Sequence, residues 1–132
     1  MHDIETPEDI EKLVAAFYKT AVADPEIGFL FTEIAKTDFD HHMPIMVAFW
    51  NFLLLGNDGF RGNPMPVHQA LHQKYPLTEA HFERWLAIWN ANLDALFEGK
   101  KAEEAKLRAR SIGDMTKAKL LNGGLHFRME HR

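Results

Sequence analysis

The chain has 132 residues, 46% of them hydrophobic and 26% charged, and a net charge of −4 with histidine neutral. This suits one globular domain over residues 1–132 with a single sizeable core. The acidic balance argues against a nucleic-acid partner, and the absence of cysteine excludes disulfides and thiolate-anchored metals or cofactors.

The opening MHDIETPEDIE is acidic and has no apolar signal core, and no apolar run approaches the ~18 residues of a membrane span. A cytoplasmic location, no membrane contact and a monomeric state are the expectations for such a chain.

The first helix starts at TPEDIEKLVAAFYKTA, with Thr6 as N-cap, Pro7 in the first turn, and Glu8 and Asp9 at the positive helix end. Ile10, Leu13, Val14, Phe17 and Ala21 recur at helical spacing, with Tyr18 at the edge of the stripe. Asp24-Pro25 ends it, and a short apolar helix, EIGFLFTEI, follows. A third helical region runs from a cap at Thr37 to Leu55, with His42, Met46, Phe49, Trp50 and Leu53 on one face. Pro44 predicts a break or kink beside His42, because proline removes a helical hydrogen bond and clashes one turn back.

From Gly56 to Leu77 no period is sustained, and at most one helical turn is expected around residues 67–72. Long irregular stretches in compact domains tend to be functional. Thr78 caps the clearest helix, which carries Phe82, Trp85, Leu86, Trp89, Leu93, Leu96 and Phe97 at helical spacing before Glu98-Gly99. A last helix spans about 102–121, with Ala105, Ala109, Ile112 and Met115 inward. The tail, residues 122–132, is expected to be partly disordered. With no strand alternation anywhere, the fold class is all-α.

Most chemical motifs are missing: there is no G-x-S-x-G, H-E-x-x-H or Glu-x-x-His pair, and the glycines of GNDGFRG follow a helix rather than a strand. What remains is histidine among aromatics. His68 and His72 stand four apart in FRGNPMPVHQALHQ. They suit three readings: partly exposed loop histidines, a zinc site completed by His41, His42 or carboxylates, or an imidazole for haem iron. The last needs an apolar slot, and Phe17, Phe31, Phe49, Trp50, Phe82, Trp85 and Trp89 supply the material. A haem-free helical interaction module is the remaining alternative.

In order along residues 5–121, Phe17-Tyr18, ADPEIGFLF, His42 before Phe49-Trp50, LLLG, FRGNPMPVH and HFERWLAIW form a specific set. The set resembles the group III truncated haemoglobins. The resemblance implies a truncated globin, a two-over-two helical sandwich around haem b that binds dioxygen and other diatomics such as NO or CO at ferrous iron. It implies oxygen binding or transport, ligand sensing, or NO or peroxide detoxification served by an unidentified reductase. On this likeness His68, which keeps the G-x-P-x-x-x-H spacing, is the proximal ligand and His72 its competitor. Tyr18, Trp85 and His42 face the ligand, and Phe31 wedges against the haem. Phe17, Met46, Phe49, Trp50 and Phe82 line the pocket, and Arg61 or Lys74 meets a propionate. The proline at 44 leaves open whether His42 or His41 points inward.

Overall fold

The computed structural model describes residues 1–57 and 65–123, and among these it is all-helical, without a strand. Helix α1 is Pro7–Ala23. Its start is fixed by a capping box: Asp9 N–H donates to Thr6 Oγ1 at 3.2 Å, while the Asp9 carboxylate accepts the Glu5 and Thr6 N–H groups at 2.9 and 3.1 Å. The predicted stripe of Ile10, Leu13, Val14, Phe17 and Ala21 is buried.

The expected short second helix is a π-helical turn, Leu30–Ile34. Helix α2, Phe39–Leu55, starts after Asp38 rather than Thr37 and runs through Pro44 without the anticipated break. The N–H that Pro44 lacks would have faced the carbonyl of Asp40, an exposed residue of the first turn, where water can replace it. Gly56 ends α2 in the left-handed region, φ 72°.

Helix α3, Met65–Lys74, is a second correction, since ten residues are helical where one turn was expected. Pro66 sits at the second helical position, where a backbone N–H has no intrahelical acceptor, so it breaks nothing. The glycine and proline spacing hid a helix that begins just inside it.

Helix α4, Glu79–Leu96, opens on a second capping box in which Thr78 and His81 exchange bonds. Helix α5 is Lys100–Lys117, followed by a π-helical turn, Ala118–Gly123. Its N-cap residue, Gly99, has no side chain, and the cap is supplied by Asp3, whose carboxylate accepts the Lys101 and Ala102 N–H groups at 2.9 Å each. Gly99 has φ 139°, and a Cβ there would run into the Asp3 carboxylate. Met115, expected inward, is 58% exposed; Gly113 and Thr116 take the inward positions.

Helix α1 packs on α2 and α4, α4 on α5, and α2 touches α5, the pairing expected of a two-over-two helical sandwich. Trp89, Phe17, Ile10, Leu13 and Leu93 are among its most enclosed large side chains. Among the described residues no helix is long and apolar enough to cross a membrane.

Candidate functional site

Because successive residues on a helix point about 100° apart, α1 can bury Phe17 in the core and turn Tyr18 toward the space between the two layers. The Tyr18 ring is walled by Phe17 at 4.9 Å, Phe39 at 5.6 Å and Phe31 at 5.8 Å. Helix α2 brings His42 to the same place, with ring centroids 5.3 Å apart and Tyr18 Oη hydrogen-bonded to His42 Nε2 at 2.8 Å. Burial pushes the Tyr18 hydroxyl well above its ordinary pKa. His42 is held below its usual range by burial first and by the neighbouring charge site at His41 second. His41 itself is exposed.

Helix α4 supplies the tryptophans. Trp89 stacks on Trp50 at 4.5 Å and donates its N–H to the Ala105 carbonyl at 3.2 Å, which commits it to the core. Trp85, one turn earlier, is half-buried, lies 5.9 Å from Phe17, and donates to no acceptor among the described residues. The α4 residue beside it, Arg84, binds the buried Asp24 at the end of α1, with Nε and Nη2 at 2.9 and 2.6 Å from Oδ1. Asp24 also accepts the N–H groups of Glu26 and Ile27 at 2.9 and 3.1 Å. One carboxylate thus ties the end of Tyr18's helix to the start of the Trp85 helix. The Arg84 guanidinium, with the backbone N–H groups, holds it below the usual carboxylate range against the opposing effect of burial.

The two α3 histidines differ sharply. His72 Nδ1 accepts the Leu77 N–H at 2.9 Å, so this imidazole closes the turn between α3 and α4. An N–H can only donate, so Nδ1 is the unprotonated nitrogen and, in the neutral ring, Nε2 carries the proton. His68 Nδ1 is buried and has no hydrogen-bond partner among the described residues. Burial, then the proximity of His42, disfavours its charged form. Buried polar atoms are seldom left unpaired, so this one marks either strain or a missing partner.

Met46, Phe49 and Phe31 are half-buried, while Trp50 and Phe82 belong to the core. Lys74 is exposed. Arg61 lies outside the described residues. Phe39, which sequence reasoning did not single out, completes the wall around Tyr18; its spacing of three from His42 is the signal that could have found it. No third donor gathers with His68 and His72 among the described residues; the candidate cluster of metal-ligating types is His2, Glu5 and Asp9, where Asp9 is occupied as a helix cap. A groove of about 820 Å³ between α1 and α2, lined by Ala15, Met43, Pro44 and Val47 among others, shares no residue with this site.

Residues 2–119 match the family model of the bacterial-like globins. The chain belongs to that family. This bacterial-like globin is 26% identical over 122 residues to the group 3 truncated hemoglobin of Campylobacter jejuni, covering 90% of this chain and 94% of that one. It is also similar to the crystal structure of a group III truncated hemoglobin from the same organism, with a TM-score of 0.78 at 25% identity, over 91% of this chain and 95% of the other. The expected resemblance to group III truncated haemoglobins is met. As a globin, the protein is a haem-based binder of diatomic ligands.

The residues present fit such a group. The buried Nδ1 of His68 meets no acceptor or donor among the described residues, so nothing there fixes the tautomer and Nε2 is able to be the bare nitrogen that ligation needs, while Phe31 and Phe49 are half-buried. Ligation through the other ring nitrogen would fix the tautomer and leave Nδ1–H to be paired.

Proposed function

We propose that this globin holds haem b on His68 and binds dioxygen, and other diatomics such as NO and CO, between Tyr18 and Trp85. The observation that carries this reading is the pair of imidazoles on α3. His72 uses the nitrogen that would otherwise be free and presents an N–H, which cannot ligate a metal, whereas His68 Nδ1 is buried without a partner among the described residues, so that its Nε2 can be left bare. Bound haem would supply a ferrous iron able to take a diatomic ligand reversibly. Phe31, Met46, Phe49 and Phe82 would line the macrocycle.

The chain's own contribution on the ligand side is donation. A dioxygen ligand draws negative charge onto its outer atom, and a hydroxyl or indole N–H aimed there stabilises that form by about 1.5–3 kcal/mol when charge-assisted. The Trp85 N–H, which meets no acceptor among the described residues, is available for this purpose. Tyr18 has one proton to give, and the His42 tautomer decides where it goes: with Nε2 bare the hydroxyl donates to His42, and with Nε2 protonated it accepts from His42 and donates to the ligand. Two donors to the ligand would retain oxygen, which suits oxidative chemistry on NO or peroxide, or sensing, better than carriage, and an external reductase would return electrons.

Carbon monoxide difference spectra of the purified protein, supplemented with hemin and reduced with dithionite, test this reading. A stoichiometric ferrous–CO Soret band is expected. No Soret absorbance after hemin addition would overturn it.

A further inference from the structure

Hydrogen bonding between a phenol and an imidazole does more than fix two rings. We infer that, in the tautomer that leaves His42 Nε2 bare, Tyr18 and His42 form a redox pair, in which Tyr18 gives up an electron while its hydroxyl proton passes to His42 Nε2. The inference goes beyond ligand binding: it adds an electron-donor function to the same pocket.

The Tyr18 O–H bond breaks, one electron leaves for a one-electron oxidant of the peroxide-derived class, and the proton forms a new N–H bond on His42. The products are a neutral phenoxyl radical and an imidazolium. An electron from a thiol- or ascorbate-type reductant, with the same proton returned, restores the pair.

Three features of the geometry favour this over a purely structural bond. The 2.8 Å contact places the base where the proton leaves, so no diffusion is needed. Burial raises the phenol's pKa and lowers that of His42, so the hydroxyl stays protonated and the imidazole stays neutral until an electron is taken. The ring is walled by Phe17, Phe31 and Phe39, none of which competes for oxidation.

The nearby tryptophans are competitors, and their surroundings decide against them. Phe17 bridges Tyr18 to Trp85 at 5.9 Å and Trp89 at 5.5 Å, and Trp89 stacks on Trp50, so oxidation can spread among these rings. The Trp89 N–H meets a backbone carbonyl, a far weaker base than an imidazole, and the Trp85 N–H meets no acceptor among the described residues. Among the described residues Tyr18 alone of these rings has an imidazole to take its proton, so the radical settles there.

The chain has two tyrosines, and the other, Tyr75, is 39% exposed and contacts His81 only ring to ring, at 6.2 Å. In a Tyr75→Phe background, therefore, any tyrosyl radical belongs to Tyr18. The purified protein would be oxidised photochemically with a ruthenium tris-bipyridyl sensitiser and an irreversible acceptor, frozen, and examined by electron paramagnetic resonance with ring-deuterated tyrosine. This oxidant acts whether or not haem is present, and the Soret band recorded on the same sample reports separately on the haem reading. A tyrosyl signal is expected in Tyr75→Phe, lost when Tyr18→Phe is added, and reduced several-fold by His42→Phe. If His42→Phe does not fold, radical formation in Tyr75→Phe alone is expected to slow in deuterium oxide, because the proton moves with the electron. Absence of a tyrosyl signal in Tyr75→Phe, a yield indifferent to His42, or a rate indifferent to deuterium would overturn the pair.

Discussion

Oxygen is expected to leave the Tyr18→Phe and Trp85→Phe variants at least about tenfold faster than the wild type, and the double variant on the order of a hundredfold faster. Each substitution removes one donor while keeping an aromatic ring of similar bulk. A lost charge-assisted bond is worth about 1.5–3 kcal/mol, and each 1.4 kcal/mol is a factor of ten. The two effects need not multiply cleanly, because Tyr18 and Trp85 both contact Phe17. Carbon monoxide supplies the control, since it develops little charge on its outer atom. Stopped-flow mixing should show oxygen release accelerated and carbon monoxide release nearly unchanged. Equal acceleration for both ligands would mean the pocket had opened instead, and the donor role assigned to these residues would be wrong.

The largest effect on stability is expected from Asp24→Ala. That carboxylate is nearly inaccessible, its side chain 3% exposed, and it satisfies two backbone N–H groups as well as Arg84. Losing the cap and the charged hydrogen bonds together should cost about 2–3 kcal/mol, with the Arg84 contribution discounted for its partial exposure. For a domain of this size that lowers Tm by roughly 10 °C. The pH dependence follows from the depressed folded-state pKa. Between the folded and unfolded pKa values the unfolded chain binds more protons, so the stabilisation is complete above roughly pH 5 and disappears as pH falls through the folded value. Melting curves at neutral pH and near pH 3 should therefore show the gap between wild type and variant narrowing in acid. A gap that stayed constant would mean the charge on Asp24 contributes nothing.

Those two sites mark the boundary of what the sequence discloses. The helices with strong stripes were legible because helical period and capping boxes are local: Thr6 with Asp9 and Thr78 with His81 lie three residues apart. Helix α3 and the continuity of α2 were not, because a proline reads as a breaker until its distance from the helix start is known. The struts were invisible for a different reason. Asp24 meets Arg84 across 60 positions and Asp3 caps α5 across 98 and 99, and nothing in local pattern announces such pairs. Tyr18 and His42 became candidates through the family resemblance, while their bond across 24 positions required the fold. The contrast between His68 and His72 also came from geometry, since four-residue spacing treats the two alike.

The proposal that His68 holds haem iron while His72 holds the turn is tested on the two histidines side by side. Hemin would be titrated into the wild type, His68→Ala and His72→Ala, and the ferrous visible spectra compared, with circular dichroism to confirm folding. A normal ferrous haem spectrum is expected in the wild type and in His72→Ala, the latter with a lowered Tm from the lost Leu77 bond, and loss of that spectrum in His68→Ala. Loss in His72→Ala with retention in His68→Ala would contradict the proposal.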